Sequence, residues 1–404
     1  MWNSRFQITP AARRTALRLL ILMLAMLAAS RAVYESRKLL FGQTNWDAND
    51  LKNFHNQVVT WLAGEDLYAT VRLANYPPAS YPLMFPMYVL DNDINRWVWF
   101  SHAVVVLGLL SWMCITESGA DGKEEKLFVG LLPLAMFSTG VVLGTAQLSI
   151  HALAASTAAV LLIYNSRGRW AWELAAAACM LFALIKPSFT APFFWIFLLI
   201  PRRKHAAVYV VVGYILLTLL GSSFLPGSLV EQFKSFMAKS TVVAENYGYG
   251  DIPLWLTRAG YANLIAPFTL LGLLAMGGWV LANRHADRWL LYGGLALMTR
   301  VWAYHQMYDD MLNLIAFVAL IRLAKGLTGD RQPDALALLV LLVGLTTIPG
   351  PASQLKFWDK WSPLLCGWHT AVRLLMLGVI VQRAWMQRSE SQERDCGASQ
   401  LVRE

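Results

Sequence analysis

Residues 15–33 read TALRLLILMLAMLAASRAV, an apolar run long enough to cross a hydrocarbon core about 30 Å thick as one helix. Arg13 and Arg14 precede it. The run exceeds a usual signal-peptide core, and Ser30-Arg31-Ala32 makes a poor cleavage site, so it reads as a retained signal anchor. The rest of the chain repeats the pattern. With 57% hydrophobic and only 15% charged residues, mean hydropathy +0.45, it has too little polar surface to cover a water-soluble globule of 404 residues. The alternating ten-residue segments of a closed barrel are absent from the sequence. An all-α integral membrane protein follows.

Apolar runs place about twelve transmembrane helices near residues 15–33, 97–115, 127–145, 147–164, 171–186, 188–200, 206–225, 263–282, 289–304, 311–324, 335–349 and 363–382, a single polytopic domain over 1–404. Many of the 17 Trp and 14 Tyr fall near run ends, as in interfacial aromatic belts. With the N-terminus cytoplasmic, inside loops collect Arg13/Arg14, 121–126, Arg167/Arg169, Arg202-Arg203-Lys204, Arg284/Arg288, Arg322/Lys325/Arg331 and the 383–404 tail with Arg383, Arg388, Arg394 and Arg403. That obeys the positive-inside rule and puts both termini in the cytoplasm. The net charge of +9 is thereby explained as topology, and nucleic acid is excluded as a partner. Cys114, Cys179, Cys366 and Cys396 lack metal-ligand spacing, so neither a metal nor another cofactor is expected.

The outside loops are unequal. Two are long, 34–96 and 226–262; Gly140 to Gln147, Lys186-Pro187, His305 to Asp310 and Pro349 to Pro363 are short but polar or Pro-rich. Neither an internal repeat nor a buried charge chain is evident, which argues against a transporter and for chemistry at the outer interface.

Within the first outer loop, Leu51, Phe54, Val58, Trp61 and Leu62 share one helical face that ends at Gly64. The pattern predicts a short amphipathic helix lying on the membrane, N-capped by Asn49 or Asp50 and closed by a glycine. Asp50 therefore reads either as a cap or as a carboxylate kept ionised at a helix N-terminus, ready to take a proton from a sugar hydroxyl. Asp47 fits the second role too, and Glu65 and Asp66 sit at the other end. Tyr76-Pro77-Pro78 with Pro82 and Pro86 predicts an extended, rigid path: a stiff loop or a re-entrant wall. In the second long loop, Phe233, Phe236, Met237, Tyr247, Tyr249 and Trp255 interleave with Lys234 and Lys239; this reads as an interfacial helix with a glycine-rich turn, or as a lid on the acceptor side.

The order Asp50, Ala63-Gly64, Leu67-Tyr68, Tyr76-Pro77-Pro78 resembles the first outer loop of GT-C superfamily membrane glycosyltransferases, and among them glycosyltransferase family 87, which includes polyprenol-phosphate-mannose-dependent α-1,2-mannosyltransferases. Gly144-Thr145-Ala146-Gln147-Leu148-Ser149 is similar to the family's Gly-Gln-x-Asn segment, although Thr145-Ala146 separates Gly from Gln. Ile185-Lys186-Pro187 and Tyr304-His305-Gln306-Met307-Tyr308-Asp309 continue the likeness, which runs from about 15 to 325. Leu51 stands where Phe commonly follows the Asp, and nothing after Gly326 matches the pattern. The resemblance implies a sugar donor on a polyprenyl phosphate, a lipid or glycan acceptor, and one metal-independent inverting displacement on the extracytoplasmic side of the inner membrane. The base it implies falls on Asp50, with Asp47 second.

A phosphate leaving group gains charge in the transition state, so fixed cations near it favour that state. Lys186, Arg300 and His305 are the outer-end candidates. The competing readings are snorkelling for Lys186, and structural ion pairs with Asp309 or Asp310 for Arg300 and His305. Gln147, Tyr76, Tyr308 and Asp309 are candidates to hold substrate, Gln147 and Tyr308 reading equally as helix-packing residues. A lipid-linked sugar flippase or polysaccharide transporter is the alternative function.

Overall fold

The structure, a computed structural model, describes residues 10–42, 47–201, 204–247, 249–328, 333–350 and 362–401. Arg202, Arg203, Arg331, Arg403 and most of the 349–363 loop lie outside them, and so does the Tyr247 side chain. Among the described residues the regular structure is entirely helical. Among the described residues, five helices are long and apolar enough to cross a membrane: Arg14–Phe41, Asn92–Glu117, His205–Ser222, Ala262–Ala282 and Leu364–Ser389. A sixth candidate is the pair Gly122–Ala135 and Phe137–Thr145, bent by 49°. Ser149–Asn165, Trp170–Ala183, Pro187–Leu199 and Ala335–Leu345 are apolar but shorter. Each of the twelve apolar runs coincides with helix, yet half of them are too short to be spans on this criterion.

The reason is visible at the breaks. Met136 is extended (ψ 133°) between Ala135 and Phe137, and Pro187 opens a new helix after Lys186. Proline forces its predecessor out of the helical region, and Lys186 is indeed there (φ −122°, ψ 78°). The helix around the first run is longer than its apolar stretch, Pro10–Phe41, so the first loop begins near residue 42. The Gly140–Gln147 segment, expected as a loop, is mostly the helix Phe137–Thr145, and His305–Asp310 is partly the 3-10 helix Met307–Leu312.

The first loop contains the expected amphipathic helix, Asn49–Leu62, with Gly64 at φ +73° closing it. Two expectations for it are corrected. Its apolar face does not lie on lipid: Leu51, Phe54, Val58 and Trp61 are buried in protein, Phe54 against the edges of Tyr76 and Tyr88, and Trp61 donating from Nε1 to the Gly221 carbonyl at 2.7 Å. Only Leu62 stays exposed. Nor do Asn49 or Asp50 cap it. The cap position is Ala48, left-handed at φ 50°, with no side-chain cap bond, and Asp50 lies in the first turn. Capping falls instead to Asp66, which accepts from Ala69 N at 3.1 Å to start Leu67–Thr70.

The proline-rich wall is also only partly extended. Pro82 and Pro86 belong to the helix Ser80–Tyr88. Pro82 occupies the first turn, where a missing N–H costs nothing. In the second long loop the helix-then-turn reading holds, with Leu229–Tyr247 followed by the turn at Gly250 and by Ile252–Arg258.

Gly221 near the end of His205–Ser222 has the Pro78 carbonyl where a Cβ would sit, with no flexible side chain to yield. Gly221→Ala is expected to push back the Tyr76–Ala79 segment and cost about 1–3 kcal/mol. The check is the melting temperature of detergent-solubilised protein, which should fall, whereas Gly278→Ala, facing open space, should leave it unchanged.

Candidate active site

The Phe137–Thr145 and Ser149–Asn165 helices meet in a three-residue turn, and alternate residues across it each serve a different wall. Thr145, whose hydroxyl donates to the Val141 carbonyl (2.9 Å), lies beside Asp50, Gln147 lies beside the Tyr76 phenol, and Ser149 contacts both Lys186 and Asp309. Ala146 makes the turn left-handed (φ 62°), a conformation costing a non-glycine residue about 1–2 kcal/mol. Long-range bonds hold it: Ala48 N donates to the Gly144 carbonyl (3.2 Å), and the Tyr88 hydroxyl donates to the Ala146 carbonyl (3.2 Å). Those two bonds dock the first outer loop onto the turn.

Lys186 does not snorkel. It is buried, and its ammonium donates to Asp309 Oδ1 at 2.5 Å and to Ser149 Oγ at 2.7 Å, 4.8 Å from the Tyr308 ring centre. Asp309 is saturated by donors. Oδ1 also accepts from Ser149 Oγ (2.8 Å), and Oδ2 accepts from Gln306 N (3.2 Å) and faces His305 Nδ1 (3.0 Å). His305 Nε2 lies 2.8 Å from the Thr299 carbonyl, which only accepts, so Nε2 carries a proton. Burial holds the His305 pKa below its ordinary value, against the pull of Asp309. Asp251 fixes the approach of this segment, its Oδ2 accepting from His305 N (3.0 Å) and Tyr249 N (3.1 Å).

The next residue faces the other way. Asp310 Oδ1 accepts from Arg300 Nε and Oδ2 from Arg373 Nη2, both at 2.6 Å, with His369 Nδ1 3.5 Å from Oδ2. The expectation that no charge chain is buried is therefore overturned: the ionised groups of Lys186, Asp309, Asp310, Arg300 and Arg373 are all buried. The ion-pair reading of Arg300 and His305 describes their geometry. Sequence reasoning missed Arg373 and His369. Their signal was a His and an Arg four residues apart inside an otherwise apolar run, a spacing that puts both on one helix face.

Asp50 stands half-buried at the rim of this cluster, within electrostatic reach of Lys186, Asp309, Tyr76 and Tyr308. Loss of water raises its pKa to about 6, with Asp309 adding to the rise and the Thr145 hydroxyl, Lys186 and Lys38 opposing it. Burial, then the Asp50 charge, holds the Tyr76 phenol far above its ordinary value, so it stays a donor. Asp47 is buried elsewhere, packed on Gly42 beside Glu35. Among the described residues no group of His, Cys, Asp and Glu is placed to hold a metal ion.

A multi-pass helical membrane protein with a carboxylate at the mouth of a buried cationic cluster is the class this geometry defines. Residues 75–323 match glycosyltransferase family 87, and the chain belongs to that family: it is a membrane glycosyltransferase. Comparison with curated proteins and with solved structures finds no match. The family match takes in Tyr76, Gln147, Lys186, Arg300, His305, Tyr308 and Asp309; Asp50 lies before it, and His369 and Arg373 after it.

Removing one partner of a buried pair leaves an uncompensated charge, at a cost of about 3–5 kcal/mol. Lys186→Met and Asp309→Asn are each expected to destabilise strongly. Their double variant should lose clearly less than the two costs combined, a coupling read from denaturation of the four proteins in a double-mutant cycle.

Proposed function

We propose that the protein transfers a sugar, mannose-like or another pentose or hexose, from a polyprenyl-phosphate donor to a lipid or glycan acceptor on the extracytoplasmic side of the inner membrane. The supporting observation is Asp50: a half-buried carboxylate, freed from capping, with a proton affinity raised toward neutrality and the Lys186–Asp309–His305 trio behind it. In this reading the acceptor hydroxyl oxygen attacks the anomeric carbon, the bond from that carbon to the phosphate oxygen breaks, and the hydroxyl proton passes to Asp50. One displacement inverts a β-linked donor to an α-linked product and needs no metal.

Lys186 has one N–H beyond those given to Asp309 and Ser149, and that donor meets the departing phosphate. His305 braces Asp309 behind the phosphate side through its Nδ1 contact. Asp309, its oxygens already occupied, is a positioning residue rather than a substrate contact. Tyr76, Gln147 and Tyr308 line the sugar side, and Arg300 contributes charge to the phosphate side. A twelve-crossing topology with both termini cytoplasmic puts all of these groups outside. Family membership favours transfer over the flippase reading.

Purified protein given radiolabelled polyprenyl-phosphate mannose or arabinose and a membrane-lipid acceptor pool should form a labelled product. Asp50→Asn should lower its rate about 100- to 10,000-fold, while Asp47→Asn keeps most of it. Normal turnover in Asp50→Asn would sink the base assignment, and movement of labelled lipid across vesicles without bond formation would favour the flippase.

The reaction needs Asp50 ionised, so kcat/KM should be flat above its pKa of about 6 and fall roughly tenfold per pH unit below it. A pH–rate profile at subsaturating donor checks this. A profile with no acid limb near pH 6 rules out Asp50 as the titrating base.

A further inference from the structure

The helix Ser149–Asn165 starts beside the Lys186–Asp309 pair and carries the chain roughly 25 Å away from it, at 1.5 Å per residue. At that far end lies a cavity of about 350 Å³. One side of its lining is apolar: Ile163, Ile196 and Ile200. The rest is polar and includes Glu173, Arg167 and Tyr164. Glu173 is 3% exposed. It stands in the first turn of Trp170–Ala183, where the helix dipole favours an acid, but the dipole gives no reason to bury the acid, because burial only costs it water. Its Oε2 lies 3.3 Å from Nδ1 of His205, a largely exposed side chain, and Oε1 makes no hydrogen bond among the described residues.

Arg167 is left-handed (φ 47°) and is followed by left-handed Gly168 (φ 76°). A non-glycine residue kept in that region marks a position its surroundings dictate, and here it is a guanidinium on the cavity lining. The Tyr164 hydroxyl is buried without a hydrogen-bond partner among the described residues. Lys204 fixes the opposite rim by donating to the Leu198 and Pro201 carbonyls at 2.6 and 2.7 Å. An acid, a guanidinium and a phenol beside an apolar wall complement a zwitterion carried on hydrocarbon. An ammonium takes Glu173 Oε1, a phosphodiester takes Arg167 and the Tyr164 O–H, and the adjoining methylenes lie on the isoleucines. Trp170 and Trp172, next along the chain, are exposed, as aromatic side chains at a membrane surface are. An anionic headgroup would bring Glu173 no cation, and a trimethylated amine would bring it no N–H.

We propose that this cavity binds the headgroup of an aminophospholipid, of the phosphatidylethanolamine class, in the leaflet opposite the candidate active site, with Glu173 selecting the primary ammonium and Arg167 the phosphodiester. The two sites share the helix Ser149–Asn165 but no side chain. The proposal concerns binding alone and does not rest on sugar transfer.

The test is native mass spectrometry of the full-length protein, delipidated in dodecyl maltoside and titrated with dioleoyl lipids that differ only in headgroup: phosphatidylethanolamine, phosphatidylcholine and phosphatidylglycerol. One phosphatidylethanolamine is expected to bind about tenfold or more tightly than either of the others, the size of one charge-assisted hydrogen bond. Glu173→Gln should abolish that preference. Arg167→Gly removes the guanidinium and suits the left-handed backbone, so it should fold at least as well as wild type and bind phosphatidylethanolamine more weakly; it carries the measurement if Glu173→Gln fails to fold. Equal binding of the three lipids, or an unchanged preference in the folded variants, overturns the proposal. Glycerophosphoethanolamine, the headgroup without chains, should compete poorly; displacement of the lipid at equal concentration would overturn the lipid assignment in favour of a soluble amine.

Discussion

An ammonium and a carboxylate 2.5 Å apart in a buried site, Lys186 with Asp309, set the terms for everything around them. Neither charge is tolerable alone there, so each brings its partners: Ser149 bridges both, and His305 and the Gln306 amide complete the carboxylate. Those partners come from three places in the chain, the 145–149 turn, the Lys186-Pro187 break and the 305–312 segment. The pair therefore acts as a clamp on chain topology as well as a local interaction. It explains why helices are interrupted where unbroken ones would have been easier to form.

Adjacent acids, Asp309 and Asp310, divide the buried charge into two groups with different properties. The first is nearly self-sufficient: Asp309 has a donor for every oxygen site it offers, and only one Lys186 N–H remains. The second is short of acceptors, since Asp310 serves two guanidinium groups and leaves buried donors over. A rigid, satisfied group is suited to holding geometry.

The polar residues of the 145–149 turn convert this buried arrangement into a directional one. Thr145 lies on the Asp50 side, Gln147 on the Tyr76 side and Ser149 on the ion-pair side, so a single short turn sets the spacing of base, aromatic wall and cation. Left-handed Ala146 is the cost of that layout, and left-handed Ala48 is its counterpart at the start of the Asn49–Leu62 helix. Ala48 N bonds the Gly144 carbonyl and the Tyr88 hydroxyl bonds the Ala146 carbonyl, and strain that persists under such bonding is characteristic of sites where position matters more than stability.

Membrane class, helical content and the apolar runs followed from the sequence by itself, because burial of backbone in lipid permits little else and hydropathy reports it directly. The buried face of Leu51, Phe54, Val58 and Trp61 was legible for the same reason: helical periodicity is a local property. What covers that face was not, and the expected lipid turned out to be the Tyr76–Tyr88 region and Gly221. Asp50 had two readings that composition and spacing left equal, cap or free carboxylate, and only the left-handed backbone at Ala48 removed the first. Lys186, His305 and Arg300 were picked out as outer cations, but their pairing depends on which way two neighbouring aspartates point, which no one-dimensional pattern encodes. Arg373 and His369 were passed over because they lie far along the chain from every motif. It is the packing of the last helix against residues 249–251 and 310 that brings them in, and a contact between distant segments exists only once the tertiary structure has formed.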